Sequence, residues 1–334
     1  MQYIGIDLHL KQSFICILNE KGEKVEELIL PSKKKLLETY FSDIETSTIC
    51  IEAGSHSPWV DRLLTELGHI VYVGQPRKIR LIAESTLKND RLDAEVLARL
   101  VRADPKLISP IQHRSEETQI LRSTLRVRSV ILQSRSRAIN CVRGLLRTFG
   151  ISFPVGYPEA FPRRVREKEL PDSLKEMVAP LLETIEYLSQ KVAILDKKIE
   201  NTVVTDPITK SFQEIPGIGP IIAFAFVTCI DNPDRFGKSR SVGAFLGLRP
   251  RLRESGGKTQ LGRISKEGDV GLRSLLVQGA QAMLRSNKSC ALKSWAENLI
   301  PRIGKRKATV ALARKLAVVM HRMWVTNQPY CAFP

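Results

Sequence analysis

Tyr3-Ile-Gly-Ile-Asp7-Leu8, Ser13-Phe-Ile-Cys-Ile-Leu18 and Val25-Glu-Glu-Leu-Ile-Leu30 are three short runs rich in β-branched and aromatic residues. Tight polar links separate them: His9 to Gln12, then Asn19 to Lys24 with Gly22 inside. Runs of this length between turn formers predict a hairpin extended into a meander. Working outward, Ser32–Phe41 reads as a helix, and Thr48–Glu52 and Ile70–Val73 read as further strands. Between those strands Ser57-Pro58 opens a helix with Val60, Leu63, Leu64 and Leu67 on one face, closed by Gly68. Pro76–Glu84 reads as a short helix. A longer one starts at Asp90 and runs to Arg102, with Leu92, Val96, Leu97, Leu100 and Val101 as its apolar set. A meander followed by strands alternating with helices is a mixed α/β domain.

The 334 residues carry 52 Lys and Arg against 35 Asp and Glu, a formal charge of +17. That charge is segregated. Residues 1–104 hold 14 basic and 16 acidic residues, residues 105–234 hold 18 and 15, and residues 235–334 hold 20 and 4. The last segment has Leu, Val and Ala at helical spacing, so it reads as a folded basic domain whose partner is a polyanion. Six cysteines without a Cys-x-x-Cys pair point to a reduced, cytoplasmic protein. The first residues lack the basic and apolar regions of a signal peptide. The most apolar stretch, Ile215–Ile230, is interrupted by Pro216, Gly217, Gly219 and Pro220 and is too short to span a bilayer. No membrane role is expected.

From Ser115 the period changes. Ile120, Thr124, Val127, Ile131, Ser134, Ala138, Cys141 and Leu145 recur at steps of four and three, a heptad seam on one long helix. Arg122, Arg126, Arg128, Arg135, Arg137, Arg143 and Arg147 fall off that seam, with no acidic residue between Arg122 and Arg147. A second seam runs Leu181, Ile185, Leu188, Val192, Leu195, Ile199, with Pro180 placed in the first turn of its helix. The pair fits either an antiparallel hairpin within one chain or a dimerising coiled coil, and the clean second seam favours the dimer. The division expected is residues 1–108, with the helix at 115–149 able to pack back on them, then long helices over 109–205 and a basic helical domain over 206–334. A final helix is expected from about Lys307 to Trp324.

Three constellations could carry chemistry. Asp7 and Glu52 end two strands, and Asp90 and Asp93 share one face at a helix start. A carboxylate in an apolar strand is costly unless compensated, and a divalent metal is the usual compensation. Two Mg²⁺ ions on such a cluster can position the attacking and leaving oxygens of a phosphodiester. Taken singly, each acid reads equally as a turn former or an N-cap. His9, beside Asp7, is assigned no role. Second, Pro216-Gly-Ile-Gly-Pro220 precedes a helix: Gly217 and Gly219 would let backbone N–H groups approach a phosphate, or else the segment is a plain turn. Third, Ser255 lies in Arg249-Pro-Arg-Leu-Arg-Glu-Ser-Gly-Gly-Lys258, ringed by Arg249, Arg251, Arg253 and Lys258. The hydroxyl is a candidate nucleophile, and the segment equally fits a phosphate-contacting loop.

Taken together, Ile4-Gly-Ile-Asp7-Leu-His9, Ile51-Glu52-Ala-Gly54 and Lys88-Asn-Asp90-Arg-Leu-Asp93-Ala-Glu95 resemble the signatures of DEDD transposases of the insertion-sequence-110 group. The second half is similar to that family's C-terminal domain at Ile215–Gly219, Phe245–Pro250, Glu254–Gly257, Arg263–Gly268 and Leu272–Leu275. The resemblance implies a ribonuclease-H-like (RuvC-like) α/β domain, a coiled-coil linker and a mainly α-helical transposase domain. It implies a metal-binding tetrad of Asp7, Glu52, Asp90 and Asp93 and a nucleophilic Ser255, with Glu254 where many relatives have a further hydroxyl. Two Mg²⁺ ions per site, donor and target DNA, a structured non-coding bridge RNA as guide, and a homo-oligomer (a dimer or dimer of dimers) at the nucleoid come with it. Arg122, Arg126, Arg128, Arg135 and Arg137 then become nucleic-acid contacts, together with Gly217, Gly219, Arg249, Arg251, Arg253, Lys258, Arg263 and Lys266. A solvated helix face remains the other reading of the arginine helix. Two rival functions predict different behaviour. A RuvC-like nuclease using metal-activated water forms no covalent protein–DNA species. A non-catalytic nucleic-acid-binding protein cuts nothing.

Overall fold

Alternation along the first strands decides which side of the sheet each residue meets. In the computed structural model, residues 1–76, 79, 90–255 and 258–332 are described, except for the side chains of Arg253, Glu254, Ser255, Lys258, Thr259 and Leu261. The chain divides into two units, Met1–Arg114 and Ser115–Pro334. The first contains β1 (Tyr3–Leu8), β2 (Gln12–Leu18), β3 (Lys24–Pro31), α1 (Lys34–Ser42), β4 (Thr48–Glu52), α2 (Ser57–Glu66), β5 (Ile70–Gly74) and α3 (Asp90–Ala103). The sheet order is β3-β2-β1-β4-β5. Its first three strands are antiparallel neighbours, while β1–β4 and β4–β5 are parallel. The expected mixed α/β domain is therefore present. The helix expected at Pro76–Glu84 falls largely outside the described residues.

Both faces of the sheet are covered, as parallel strands require. Ile4, Ile6, Ile49 and Ile51 point to one face and pack with Leu37 and Phe41 of α1 and Val60, Leu63 and Leu64 of α2. Gly5, Cys16 and Cys50 point to the other, where Ala94, Leu97, Ala98 and Val101 of α3 lie. Gly5 makes this approach possible. A Cβ there would sit 1.9 Å from the Ala94 carbonyl oxygen and 2.5 Å from the Ala98 nitrogen. Polar groups clamp the same helix to the sheet's outer strands. Lys24 bridges Glu27 and Glu95, and the Arg102 guanidinium donates to the Glu20 carbonyl at 3.1 Å. The charged outer face of β3 suits an edge strand.

The second unit is mainly helical: α4 (Glu116–Arg147), α5 (Phe161–Arg166), α6 (Asp172–Thr205), α7 (Pro207–Phe212), α8 (Pro220–Ile230), α9 (Arg240–Phe245), then the hairpin β6 (Pro250–Ser255) and β7 (Lys258–Ile264), then α10 (Val270–Arg285), α11 (Ala291–Ile303) and α12 (Lys305–Thr326). Its main core gathers Phe212, Phe226, Leu276, Leu312, Leu316 and Met320. The long helices α4 and α6 pack antiparallel within the chain. Arg128 pairs with Asp196, Arg135 with Ser189, and Val142 and Leu146 meet Val178 and Leu182.

This packing corrects three readings of the sequence. The inward stripe of α4 is Leu121, Leu125, Arg128, Leu132, Arg135, Ile139, Val142 and Leu146, one residue on from the expected seam. Ile120, Val127 and Cys141 of that seam are exposed. The shift arises because two inward positions hold arginine, which an apolar-period search skips. Arg128 and Arg135 are therefore not free outward cations: Arg135 is 6% exposed and paired to Glu159, and Arg128 is held by both oxygens of Asp196. Third, α6 begins at Asp172, which puts Pro180 inside the helix and not in its first turn. Pro180 lies on the solvent face, and its carbonyl accepts a hydrogen bond from the Thr184 hydroxyl at 2.8 Å. No helix among the described residues is long and apolar enough to cross a membrane.

Candidate active site

Asp7 is the residue after the last β1–β4 pair, Ile6 and Ile51, and Glu52 is the residue after that pair on the neighbouring strand. Two positions before them, Gly5 and Cys50 are register partners on the α3 side of the sheet. The period of two therefore puts Asp7 and Glu52 side by side on that same face. Because Gly5 lets α3 lie close, the helix's first turn brings Asp90 within ligand spacing of Asp7 and Asp93 near enough to act on it by charge, while Glu52 and Asp93 lie outside the ligand-spaced group. Asp7 is only 8% exposed. Burial raises its pKa above the usual carboxylate value, His9 opposes this by charge and hydrogen bond, and Asp93 and Asp90 add to the rise by repulsion. The site is thus acidic and partly dry. Burial, with Glu52 nearby, also pushes the Cys50 thiol up to about 12, so it stays an uncharged core group.

One participant was not foreseen. His9 Nε2 lies 2.9 Å from Asp7 Oδ2 and 3.6 Å from Asp90 Oδ1. Ligand atoms of Asp7, His9 and Asp90 all lie within 4.8 Å of one another, a spacing that one cation can span. The tight turn after β1 fixes His9: its N–H donates to the Gln12 carbonyl, its carbonyl accepts from the Ser32 hydroxyl, and its ring meets Phe14 edge-on. The sequence signal was only its place two residues after Asp7.

Ser255 ends β6, opposite Lys258, and its side chain lies outside the described residues, as do those of Arg253 and Lys258. Gly256 and Gly257, which join the two strands, also lie outside them. The base of the hairpin is sharply defined. Gly247, at φ +66°, leaves room for the backbone of Glu267, and Gly268, at φ +75°, leaves room for the Phe245 carbonyl. A Cβ at either would come within about 2 Å of a backbone oxygen. Arg273 Nη1 then donates to the Leu246 carbonyl at 2.9 Å and the Glu267 carbonyl at 3.0 Å, joining both segments. The segments 245–250 and 263–268, separate in sequence, thus form one rigid base. The segment read as a loop at Arg249–Lys258 is mostly strand.

The basic residues sort by exposure. Arg126, Arg137, Arg249, Arg251, Arg263 and Lys266 are exposed, whereas Arg122 pairs with Asp269, the N-cap of α10. Gly219 is the N-cap of α8, with open space where a Cβ would be. Gly217 has φ +85°, and its Cβ would strike the Gly279 carbonyl oxygen at 2.4 Å, so close packing on α10 accounts for that glycine. A further cationic group is Lys305, Arg306 and Lys307, all exposed in the first turn of α12 with no acid among them. Three cations oppose the helix dipole there, an arrangement that stabilises a bound anion and not the helix.

These features define a nucleic-acid-processing protein with an acidic centre in one unit and a basic helical second unit. Two transposase family models match in succession: the DEDD transposase model of the IS110 group over residues 4–151, and "Transposase IS116/IS110/IS902 family" over residues 209–295. The transposase for insertion sequence element IS1328 of Yersinia enterocolitica is 32% identical, the match covering 97% of this chain and 96% of that protein. The transposase for insertion sequence element IS1111A of Coxiella burnetii is 27% identical over 99% of this chain and 91% of that protein. The chain belongs to the IS110 family of DEDD transposases. It is a DNA transposase, and its DEDD domain carries the ribonuclease-H-like fold.

Proposed function

We propose that this transposase cuts and rejoins DNA by transesterification, using Asp7, Glu52, Asp90 and Asp93 as metal ligands and Ser255 as nucleophile, guided by a bridge RNA. The observation that carries the reading is geometric: Asp90 of α3 lies within ligand spacing of the buried Asp7, with Asp93 close enough to act on Asp7 by charge, at the adjoining ends of β1 and β4. The donor set suits a hard divalent cation, and Mg²⁺, two per site, is our assignment. When bound, such ions neutralise charge on the scissile phosphate and lower the pKa of an attacking hydroxyl.

The chain's own residues account for the remaining chemistry. Ser255 Oγ attacks phosphorus, forming a serine–phosphate ester as the bond to one sugar oxygen breaks. The serine proton is lost to solvent, and the leaving sugar oxygen takes one up. A hydroxyl from a second strand later attacks the same phosphorus and restores the serine. One ester replaces another at each step, so no external energy source is needed. Arg249, Arg251, Arg253 and Lys258 hold the phosphate, while Arg126, Arg137, Gly219, Arg263, Lys266 and Lys305–Lys307 track nucleic-acid backbone. We partition these tasks among residues 1–108, 109–205 and 206–334. Exposed Ile120, Val127 and Val130 on α4, with Tyr187 and Ile194 on α6, support a homo-oligomer. The protein works at the cytoplasmic nucleoid, where its DNA is.

The test is covalent trapping with labelled donor DNA, the RNA from the element's own non-coding end, and Mg²⁺, read on a denaturing gel. The expected result is a protein-shifted DNA band that is lost in Ser255→Ala and in Asp7→Ala. Cleaved DNA without a shifted band, unaffected by Ser255→Ala, overturns the serine mechanism and leaves a nuclease that uses water.

A further inference from the structure

We infer that His9 is itself a metal ligand, so that one cation at this site is held by a mixed nitrogen and oxygen donor set with a preference for Mn²⁺ over Mg²⁺. The inference rests on the metal-site reading above and adds a residue outside the acidic tetrad.

The geometry makes the case. A first-row divalent ion bonded at about 2.1 Å to its ligands places neighbouring donors roughly 3 to 4 Å apart. His9 Nε2 meets that spacing to both acids, at 2.9 Å from Asp7 Oδ2 and 3.6 Å from Asp90 Oδ1. An outer-shell histidine would approach one ligand through a single hydrogen bond; this nitrogen sits between carboxylates from two different elements, β1 and α3. Its side chain is half exposed, so solvation alone would satisfy it and burial does not force the position. Its backbone is nevertheless held on both sides, by the Gln12 carbonyl and the Ser32 hydroxyl, and its ring meets the Phe14 ring edge-on. Such anchoring is what a ligand on a turn requires if it is to be held in place before the ion arrives.

Donor chemistry then sets selectivity. Mn²⁺ is the weakest imidazole binder of the divalent first-row transition ions but still accepts that nitrogen more readily than Mg²⁺, which favours oxygen and keeps its water. His9 ligates as the neutral imidazole, with its remaining proton on Nδ1. Loss of His9 therefore weakens Mn²⁺ far more than Mg²⁺, whereas a histidine that only orients Asp7 would affect both ions alike.

The experiment is Mn²⁺ binding to the full chain labelled with ¹⁵N-histidine, read by pulsed electron paramagnetic resonance, with titrations of wild type, Asp7→Asn and His9→Ala. The expected results are a directly bonded histidine nitrogen coupled to Mn²⁺ and at least a roughly tenfold weaker Mn²⁺ affinity in His9→Ala, the loss seen even for outer-shell partners. Mg²⁺ affinity, measured by competition, should change by less than about twofold, because Mg²⁺ keeps water there. Mn²⁺ that binds in an Asp7-dependent way without nitrogen coupling, or equal losses for both ions, overturns the His9 assignment and leaves the acidic site standing. Mn²⁺ binding that is absent, or indifferent to Asp7→Asn, overturns both.

Discussion

Gly5→Ala isolates the packing that builds the acidic centre without touching any acid. The added Cβ would fall 1.9 Å from the Ala94 carbonyl oxygen and 2.5 Å from the Ala98 nitrogen, both backbone atoms of α3. Contacts below 3.0 Å are essentially never tolerated, and backbone cannot rotate away. The helix must therefore retreat by at least about 1 Å, a strain of roughly 1–3 kcal/mol for overpacking a filled interior. Asp90 and Asp93 ride on that helix while Asp7 and Glu52 stay on the strands. A displacement of about 1 Å in a reacting geometry can cost roughly a hundredfold in rate. The assay pairs urea unfolding with metal-dependent cleavage of donor DNA. A suitable control is Gly144→Ala on α4, where a Cβ meets nothing within 4 Å and the same change should stabilise by about 1 kcal/mol. Cleavage by Gly5→Ala within twofold of wild type, with an unchanged unfolding midpoint, would refute the reasoning.

Three further outcomes follow from the same structure. Burial holds the Asp7 pKa above 3.8, so over the window from there up through its raised pKa the folded protein keeps a proton that the unfolded chain has lost, and stability falls as pH rises. Asp7→Asn should remove that slope and raise the melting temperature at pH 7 in chelator, while added Mn²⁺ should stabilise wild type and not the variant. At the α4–α6 seam, Glu159→Ala takes the carboxylate from the buried Arg135 and should cost about 1 kcal/mol in urea unfolding, since Glu159 itself is largely exposed and Ser189 still accepts from Arg135, whereas Arg135→Leu should be near neutral because an apolar side chain suits that stripe. Replacing Lys305, Arg306 and Lys307 by Glu should weaken DNA binding and flatten its salt dependence, by about 0.9 in slope for each phosphate that is no longer neutralised. The same change should modestly stabilise α12, by about 0.3–1 kcal/mol per residue, since acids suit a helix N-terminus.

The sheet was legible because its signals are local. Alternation and short turns mark β1 to β3 within a residue or so of where they fall, and Asp7 and Glu52 stand out as acids ending apolar strands. Helical spacing made Asp90 and Asp93 neighbours before any tertiary contact was known. The remaining features depend on partners distant in sequence. Arg128 and Arg135 occupy core positions only because Asp196, Ser189 and Glu159 meet them there, so the seam of α4 was displaced by one residue. Gly217 reads locally as either a turn or a phosphate contact, and its close packing against Gly279 depends on a segment some sixty residues away. The β6–β7 hairpin, rich in arginine and glycine, carries too little apolar alternation to announce itself as strand. Its base depends on Gly247 and Gly268 meeting the backbone of segments some twenty residues away. His9 lacked any sequence signal beyond proximity to Asp7. Its value comes from a turn register fixed by Gln12 and Ser32.

The most direct test is chemical identification of the residue joined to DNA. Trypsin releases Glu254-Ser-Gly-Gly-Lys258, in which Ser255 is the only hydroxyl. After trapping with donor DNA, RNA and Mg²⁺, nuclease digestion and mass spectrometry should find this peptide carrying a nucleotide through a phosphodiester, and should find it bare in Asp7→Ala. Cut DNA alongside an unmodified peptide, or an adduct on any other residue, would contradict the account.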